Sequence, residues 1–194
     1  MNSYPSWNLH VDAVQEWAYF DNALSSTECD EIVEYCKQFK MEEGKIADAS
    51  LDHSIRKSTI CMIPPTEYMV PYYRKFSAIV HSLNEQFFKF DLHGFDEHLQ
   101  FTEYTAPEGK YDSHPDRAYG IPVRKLSIVV QLTDPDTYEG GDFEWIRSIE
   151  LPLVLPRTRG TLIAFPSYQL HRVTQLTKGT RNSLVGWISG KQFK

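Results

Sequence analysis

The second half of the chain is a succession of short β-rich segments, and this feature constrains the fold most strongly. The segments are rich in β-branched, leucine and aromatic residues, and turn-forming residues such as Pro107, Gly109 and the stretch DPDTYEGGD separate them. Short strands at this rhythm are typical of a sandwich or a barrel. The predicted strands cover residues 99–105, 125–134, 141–146, 149–155, 160–165, 170–176 and 181–189.

The first half of the chain predicts helices that support this β-rich core. Ser25 and Glu28 have the spacing of a capping box, and Ile32, Val33 and Cys36 follow at helical intervals. A longer helix is predicted over 66–88, and its apolar side comprises Phe76, Ile79, Val80, Leu83, Phe87 and Phe88.

One polar stretch between these helices, Met41 to Lys57, has neither a helical nor a strand period. A loop of this length is often mobile or functional. We therefore expect it to act as a substrate lid, with the segment from Arg117 to Arg124 as a second candidate.

Together the two halves predict a single α+β domain over residues 1–194, with helical support mainly in 17–98 and the β core mainly in 99–190. A chain of 194 residues is long enough to bury a sizeable core in one domain.

Charge and cysteine content restrict the partners that we expect. The formal net charge is −6, so the chain has no general attraction for nucleic acid or an anionic membrane surface. Cys29, Cys36 and Cys61 form no CxxC pair and predict reduced thiols. No basic, apolar leader and no apolar run of about 20 residues occurs, so we expect a soluble cytoplasmic protein.

The tripeptide His114–Pro115–Asp116 is the first candidate for a chemical site. In an extended segment, residues i and i+2 point to the same face, so the imidazole and the carboxylate can converge. Pro115 favours a strand end or loop over a helix. A pair of this kind is weak support for a metal site by itself.

A third ligand is available in the β-rich half. His171 lies at the start of a predicted strand, and Arg181 and Ser183 follow on the next one. Two imidazoles and one carboxylate form the facial triad of non-haem iron(II) oxygenases, which leaves coordination positions open. An anionic bidentate co-substrate suits such a site, and Arg181 could bind its distant carboxylate, assisted by the Ser183 hydroxyl.

The stretch from Leu99 to Trp187 resembles the 2-oxoglutarate- and iron(II)-dependent dioxygenases of the prolyl 4-hydroxylase-like branch. The similar stretches are LQFTEYTAPEGKYDSHPD, RKLSIVVQLTDPDTYEGGDFEW and RGTLIAFPSYQLHRVTQLTKGTRNSLVGWISG, together with FDNALSSTECDEIVEY near the N-terminus. The resemblance implies a double-stranded β-helix, or jelly roll, with supporting N-terminal helices.

The resemblance also implies roles for individual residues. His114, Asp116 and His171 match the catalytic iron ligands, and Arg181 matches the residue that binds the far carboxylate of 2-oxoglutarate. The further positions expected to contact the co-substrate or to wall its pocket are Ser183, Tyr104, Gln131 and Trp187. At Gln131 some prolyl hydroxylases have a tyrosine, whose contact glutamine could replace by a hydrogen bond.

What the resemblance implies about activity is an iron(II)- and 2-oxoglutarate-dependent dioxygenase that uses O2, with ascorbate as a reductant. The branch implies a prolyl residue of a peptide or protein as substrate. Alternatives are the same chemistry on a free amino acid, a small molecule or a nucleic-acid base, and a non-catalytic metal-binding jelly roll. Structural zinc usually has four protein ligands, often cysteines, whereas three ligands without a nearby cysteine are visible here.

Overall fold

The computed structural model describes residues 15–46, 50–117, 123–147 and 151–191. Helix α1 (Ser26–Cys36) and helix α2 (Val70–Leu83) precede most of the strands, and α2 continues into a π-helical turn, Asn84–Phe88. The strands are β1 (Ala18–Phe20), β2 (Glu42–Glu43), β3 (Arg56–Lys57), β4 (Thr59–Ile63), β5 (Leu92–Phe95), β6 (Leu99–Thr105), β7 (Lys110–His114), β8 (Arg124–Gln131), β9 (Glu139–Gly140), β10 (Phe143–Ile146), β11 (Pro152–Val154), β12 (Leu162–Pro166), β13 (His171–Val173), β14 (Leu176–Lys178) and β15 (Thr180–Gly190).

The strands form two main antiparallel sheets. The large sheet has eight strands in the order β1-β12-β8-β15-β6-β4-β2, with β5 paired to β15. The small sheet has five strands in the order β11-β10-β13-β7-β3, and β14 and β9 form a separate pair. The long strand β15 contacts β8 and β6 along its length, so it is the central element of the large sheet.

Helix α1 begins where the sequence predicts it. The Ser25 hydroxyl accepts a hydrogen bond from the Glu28 amide at 3.2 Å, and the Glu28 carboxylate accepts one from the Ser25 amide at 2.8 Å. This capping box satisfies two amides that the helix itself leaves unpaired.

The longer predicted helix is correct in its central part and wrong at its end. Phe76, Ile79, Val80 and Leu83 of α2 are buried as expected, and so is Phe88 of the π-helical turn, but Phe87 is 39% exposed. The π-helical turn after Leu83 changes the angular step between residues, and therefore rotates Phe87 away from the apolar side.

Strands also occur where the sequence predicts none. β5 pairs with β15 of the large sheet, and the polar stretch from Met41 to Lys57 contains the two-residue strands β2 and β3. These pairings depend on distant partners, and such short segments carry no period of their own. By contrast, β1 and β4 lie within the segments 17–24 and 58–63, whose sequences favour strands. Residues 47–49 of that stretch lie outside the described residues.

The core lies on both sides of the large sheet. On the helix side, buried residues of α1, α2, β6, β8, β12 and β15 form one cluster, which includes Cys29, Cys36 and Cys61 as free thiols. Between the two sheets, Val129, Phe143, Trp145 and Phe165 belong to a second, smaller cluster. Within the described ranges, the structure contains no helix that is both long and apolar enough to cross a membrane.

Candidate active site

Three side chains with metal-binding chemistry converge between the sheets. His114 ends β7, His171 begins β13, and the two residues are direct partners in the antiparallel register. Asp116 follows two residues after β7, where its amide donates to the Ser167 carbonyl at 3.0 Å. The Asp116 carboxylate oxygens lie 3.9 Å from His114 Nε2 and 3.7 Å from His171 Nε2.

Both imidazoles are oriented by backbone carbonyls. His114 Nδ1 lies 2.7 Å from the Asp112 carbonyl oxygen, and His171 Nδ1 lies 3.0 Å from the Gln169 carbonyl oxygen. Because a carbonyl oxygen only accepts, each Nδ1 carries the proton and each Nε2 presents its lone pair to the shared centre. Histidine ligands in metal sites are usually fixed by a second hydrogen bond of this type.

The electrostatics of the cluster favour neutral imidazole and ionised carboxylate. Burial and the charge of neighbouring His171 lower the pKa of His114 to about 3. Burial acts to raise the pKa of Asp116, but His171 and His114 outweigh it, and the pKa lies below its ordinary value. At neutral pH His114 and Asp116 therefore offer unprotonated donors.

Aromatic rings enclose this centre. The Tyr111 ring stacks on His114 at 3.5 Å between ring centroids, and Phe165 and Phe143 lie 4.7 Å and 5.5 Å from His171. Tyr111 and His114 are three apart and would face opposite sides of a regular strand. A register irregularity between β7 and β13 brings them to the same side, which explains why sequence reasoning missed Tyr111.

A cavity of about 320 Å³ extends from the three-residue cluster over the inner face of the large sheet. Alternate residues of β15 line it, namely Arg181, Ser183, Val185 and Trp187, as the period of a strand requires. Gln100, Thr102 and Tyr104 of β6 line it in the same way.

Arg181 is a buried cation that has no anionic partner among the residues that the structure describes. Its side chain is only 2% exposed. Its Nη2 donates to Gln131 Oε1 at 2.8 Å, and its guanidinium carbon lies 5.6 Å from the centroid of the Tyr104 ring. Its Nε is buried and has no hydrogen-bond partner, and among residues with described positions no carboxylate lies within 4.0 Å of the guanidinium. An unpaired buried charge costs several kcal/mol, roughly, so this environment suits an anionic ligand.

The other predicted contact residues fall into two groups. Ser183, Tyr104 and Trp187 line the cavity, and the indole Nε1 of Trp187 is buried without a partner. Gln131 is buried beside Arg181 but does not line the cavity, because Arg181 and the Pro156 carbonyl occupy its two amide ends.

Two arginines that sequence reasoning did not assign to the site also line the cavity. Arg124 forms an ion pair with Glu97 at 2.5 Å, donates to the Asp116 carbonyl oxygen at 2.9 Å, and stacks over Trp187 at 3.8 Å. Arg56 lies over the Tyr111 ring at 4.5 Å and donates to the Lys45 carbonyl oxygen at 2.8 Å. Both are far in sequence from most of their partners, so no local pattern identifies them.

The first of the two expected lid segments borders the cavity with several residues, and the second does so at Arg124. Glu42, Glu43, Lys45, Ile46 and Arg56 of the stretch from Met41 to Lys57 are among the lining residues. Most of the second candidate, from Arg117 to Arg124, lies outside the described residues, since positions 118–122 are not covered.

The donor set fits the cofactor that the sequence resemblance implies. Two neutral imidazole nitrogens and one carboxylate oxygen, all within 4.8 Å of one another, are the ligands of a facial iron(II) site. The unpaired guanidinium of Arg181, in the same cavity, fits one end of a dicarboxylate.

Comparison with known proteins identifies relatives by sequence. No family model matches the chain. A PKHD-type hydroxylase from Synechococcus sp. (strain CC9311) is 45% identical over 85 residues, which is 43% of this chain and 38% of that protein. Another from Crocosphaera subtropica (strain ATCC 51142 / BH68) is 28% identical over 175 residues, 87% of this chain and 76% of that protein. The matches to the first three such relatives span only 38%, 41% and 35% of their lengths.

Solved structures share the fold. A Pseudomonas putida prolyl-4-hydroxylase has a TM-score of 0.73 at 20% identity, over 91% of this chain and 94% of that chain. A Trichoplax adhaerens prolyl hydroxylase, solved with a hypoxia inducible factor oxygen degradation domain peptide fragment, has a TM-score of 0.73 at 17% identity, over 90% and 84%. These neighbours confirm the α+β fold with a jelly-roll core. The chain is therefore similar to PKHD-type hydroxylases over part of its sequence and to prolyl hydroxylases in its fold, in agreement with the resemblance to 2-oxoglutarate- and iron(II)-dependent dioxygenases.

Proposed function

We propose that this chain is an iron(II)- and 2-oxoglutarate-dependent dioxygenase that hydroxylates a prolyl residue of a peptide or protein. One observation carries the proposal: a cluster of two imidazoles and a carboxylate shares a cavity with a buried guanidinium that lacks an anionic partner. Neither feature alone is specific, but a facial triad together with a carboxylate-binding arginine is what a keto-dicarboxylate co-substrate requires.

In this proposal His114, Asp116 and His171 hold iron(II). The two Nε2 atoms and one carboxylate oxygen would be its ligands, a donor set that leaves further coordination positions for ligands that exchange. The carbonyls of Asp112 and Gln169 keep the Nδ1 protons in place, so the imidazoles stay oriented whether or not the metal is bound.

Arg181 and Ser183 bind the far carboxylate of 2-oxoglutarate. They are two residues apart on β15 and both line the cavity, so a planar fork and a hydroxyl are available to one carboxylate. Burial raises the pKa of Tyr104, which therefore remains a neutral phenol and can donate to the same ligand. Trp187 walls the pocket beside them.

When bound, iron(II) with 2-oxoglutarate and O2 supplies the oxidising equivalents that convert a C–H bond to C–OH, while 2-oxoglutarate becomes succinate and carbon dioxide. The chain's residues bind and orient these components and limit access of water. Phe143, Phe165 and Val129 provide the apolar wall for that purpose. Ascorbate as a reductant belongs to the same proposal.

Two observations support a prolyl substrate: the solved structures of similar fold, and the residues that line the cavity near the three candidate ligands. The solved neighbours include prolyl hydroxylases, one of them with a bound peptide. In this chain Tyr111, Arg124 and Arg56 line the same cavity as the three candidate metal ligands, and the segment from Met41 to Lys57 borders it as a candidate lid. An aromatic ring and guanidinium donors suit the apolar ring and the backbone carbonyls of a prolyl peptide.

A succinate-release assay tests the proposal. The full chain, with iron(II), 2-oxoglutarate and ascorbate, is incubated with proline-containing peptides, free amino acids and methylated oligonucleotides, and products are identified by mass spectrometry. We expect succinate together with a peptide that has gained one oxygen atom. Asp116→Ala is the inactive control, and Gln175→Met, a change at an exposed glutamine, is the active control.

The same assay separates the alternatives. Product formation only from amino acids or oligonucleotides would retain the dioxygenase and reject the prolyl substrate. Metal binding without 2-oxoglutarate binding or succinate release would reject the enzyme and favour a metal-binding jelly roll.

A further inference from the structure

We propose that Gln131 is a positioning residue for Arg181: it fixes the guanidinium with a neutral acceptor and so leaves its full charge for the far carboxylate of the co-substrate. This inference rests on the proposed function and deepens it. It differs from the contact expected from the sequence, in which Gln131 itself would touch 2-oxoglutarate.

The amide of Gln131 is held at both ends. Its Oε1 accepts from Arg181 Nη2 at 2.8 Å, and its Nε2 donates to the Pro156 carbonyl oxygen at 3.0 Å. A carbonyl can only accept, so the contact with Pro156 fixes which end of the amide faces Arg181. Neither polar end remains for a ligand, in agreement with the absence of Gln131 from the cavity lining.

The backbone of Gln131 is equally well fixed. Its amide donates to the Thr161 carbonyl at 3.0 Å, and its carbonyl accepts from the Gly160 amide at 2.8 Å. Gln131 ends β8 and pairs with Ser183 on β15, two residues from Arg181. A side chain on such a rigid support can hold its partner in one position.

The remaining contacts of Arg181 restrict it sterically but offer few acceptors. Tyr104 presents its ring, and the Gly-Gly turn approaches the aliphatic stem so closely that a Cβ at Gly141 would lie 3.4 Å from Arg181 Cδ. Within the described ranges, the guanidinium Nε has no hydrogen-bond partner. Gln131 Oε1 is therefore the acceptor that fixes the Arg181 guanidinium by a hydrogen bond.

Charge explains why a glutamine is suited to this place. Both side chains are 2% exposed, so a carboxylate here would face the guanidinium with little solvent screening. Such a pair would satisfy Arg181 within the protein and would compete with the incoming co-substrate. A neutral amide orients Arg181 without neutralising it.

The test compares two ligands on the full chain loaded with Mn(II), which supports binding without turnover. 2-Oxoglutarate has a far carboxylate, whereas oxalate offers the metal a similar bidentate group and lacks that carboxylate. Isothermal titration calorimetry measures the Kd of each ligand and of Mn(II) for the unmodified protein, Gln131→Met and Gln131→Glu. Gln175→Met is the matched control, because Gln175 also donates its Nε2 to a proline carbonyl, that of Pro107, but lies on the surface.

We expect Gln131→Met to weaken 2-oxoglutarate binding about tenfold, the equivalent of one lost hydrogen bond. Gln131→Glu should weaken it about a hundredfold, because the new carboxylate also pairs with Arg181. The Kd values for oxalate and Mn(II) should not change, and Gln175→Met should bind both ligands as the unmodified protein does.

Two results would overturn the inference alone: 2-oxoglutarate binding that is unaffected in both Gln131 variants, or equal weakening for oxalate and 2-oxoglutarate, which would indicate a general structural role. If the unmodified Mn(II) protein binds oxalate but not 2-oxoglutarate, the proposed function fails and this inference fails with it.

Discussion

The two faces of the large sheet are built from the same strands but differ in chemistry. On the face that packs against the helices, β6, β8 and β15 present Leu99, Phe101, Ile128, Val130, Leu184 and Ile188, all buried in one apolar cluster. On the opposite face, the alternate residues include Gln100, Thr102, Arg181, Ser183 and Trp187, and these line the cavity. Residues next to each other in sequence therefore belong to different environments.

The difference separates stability from chemistry. The helix face removes apolar surface from water and requires only shape and volume. On the cavity face, Arg181 Nε and Trp187 Nε1 are buried without a hydrogen-bond partner in the described part of the chain, which is unfavourable in the free protein but suits a ligand. We expect substitutions on the two faces to affect different measurements.

The largest effect is expected at the three candidate metal ligands, which line the cavity from the side of the small sheet. His114→Ala, Asp116→Ala and His171→Ala should each abolish turnover, because two remaining donors make too weak a site. Iron content and succinate release measure the effect. Full activity in any one variant would remove that residue from the ligand set.

Arg181→Ala should weaken 2-oxoglutarate binding by about 2–5 kcal/mol, since the far carboxylate would enter an apolar pocket without a cation. Arg181→Lys should be intermediate, because lysine retains the charge but not the planar fork. Titration of the Mn(II) protein with 2-oxoglutarate measures both. An unchanged Kd in Arg181→Ala would show that another cation, such as Lys125 or Arg124, binds the carboxylate.

Leu184→Ala tests the helix face at the neighbouring position. Leu184 is fully buried in the apolar cluster, so the cavity left behind should lower the free energy of unfolding by about 3 kcal/mol. Urea denaturation followed by circular dichroism gives this value. The Kd for 2-oxoglutarate, measured where the variant is folded, should change little, and a large loss of affinity would contradict the separation of the two faces.

Ser183→Ala is the matching change on the cavity face, one residue away. Loss of one hydroxyl should weaken 2-oxoglutarate binding by about 1 kcal/mol, while the free energy of unfolding stays nearly constant. The same two measurements apply. A loss of stability as large as that of Leu184→Ala would place Ser183 among the structural residues.

The smallest effect is expected for the thiols on the helix face. Burial raises the pKa of Cys29 and of Cys61 to about 11, and also raises the pKa of Cys36. At pH 8 only about a thousandth of a thiol with this pKa is thiolate, the reactive form. Native protein at pH 8 should therefore resist iodoacetamide, and urea should expose three alkylation sites by mass spectrometry. Rapid labelling of the native protein would show that this face opens.

Local patterns in the sequence were sufficient for much of the fold. The capping box of Ser25 and Glu28, the period of Leu99 to Thr105 and the alternation along β15 depend on neighbours two to four residues away, so they can be recognised without the rest of the chain. The approach of His114 and Asp116 also follows from their spacing. Likewise, alternation assigned Arg181 and Ser183 to one face before any partner was known.

Only the tertiary structure decided which distant groups meet. The register of β7 against β13 brings His171 opposite His114, and its irregularity turns Tyr111 onto the same centre. Arg124 of β8 pairs with Glu97 in the connection between β5 and β6, and Gln131 of β8 pairs with Arg181 of β15. Sheet order and register depend on how much apolar surface the whole core buries, and a short stretch of sequence does not reveal this total. The sequence thus determined what each strand presents on its two faces, and the packing of the sheets determined what each face encounters.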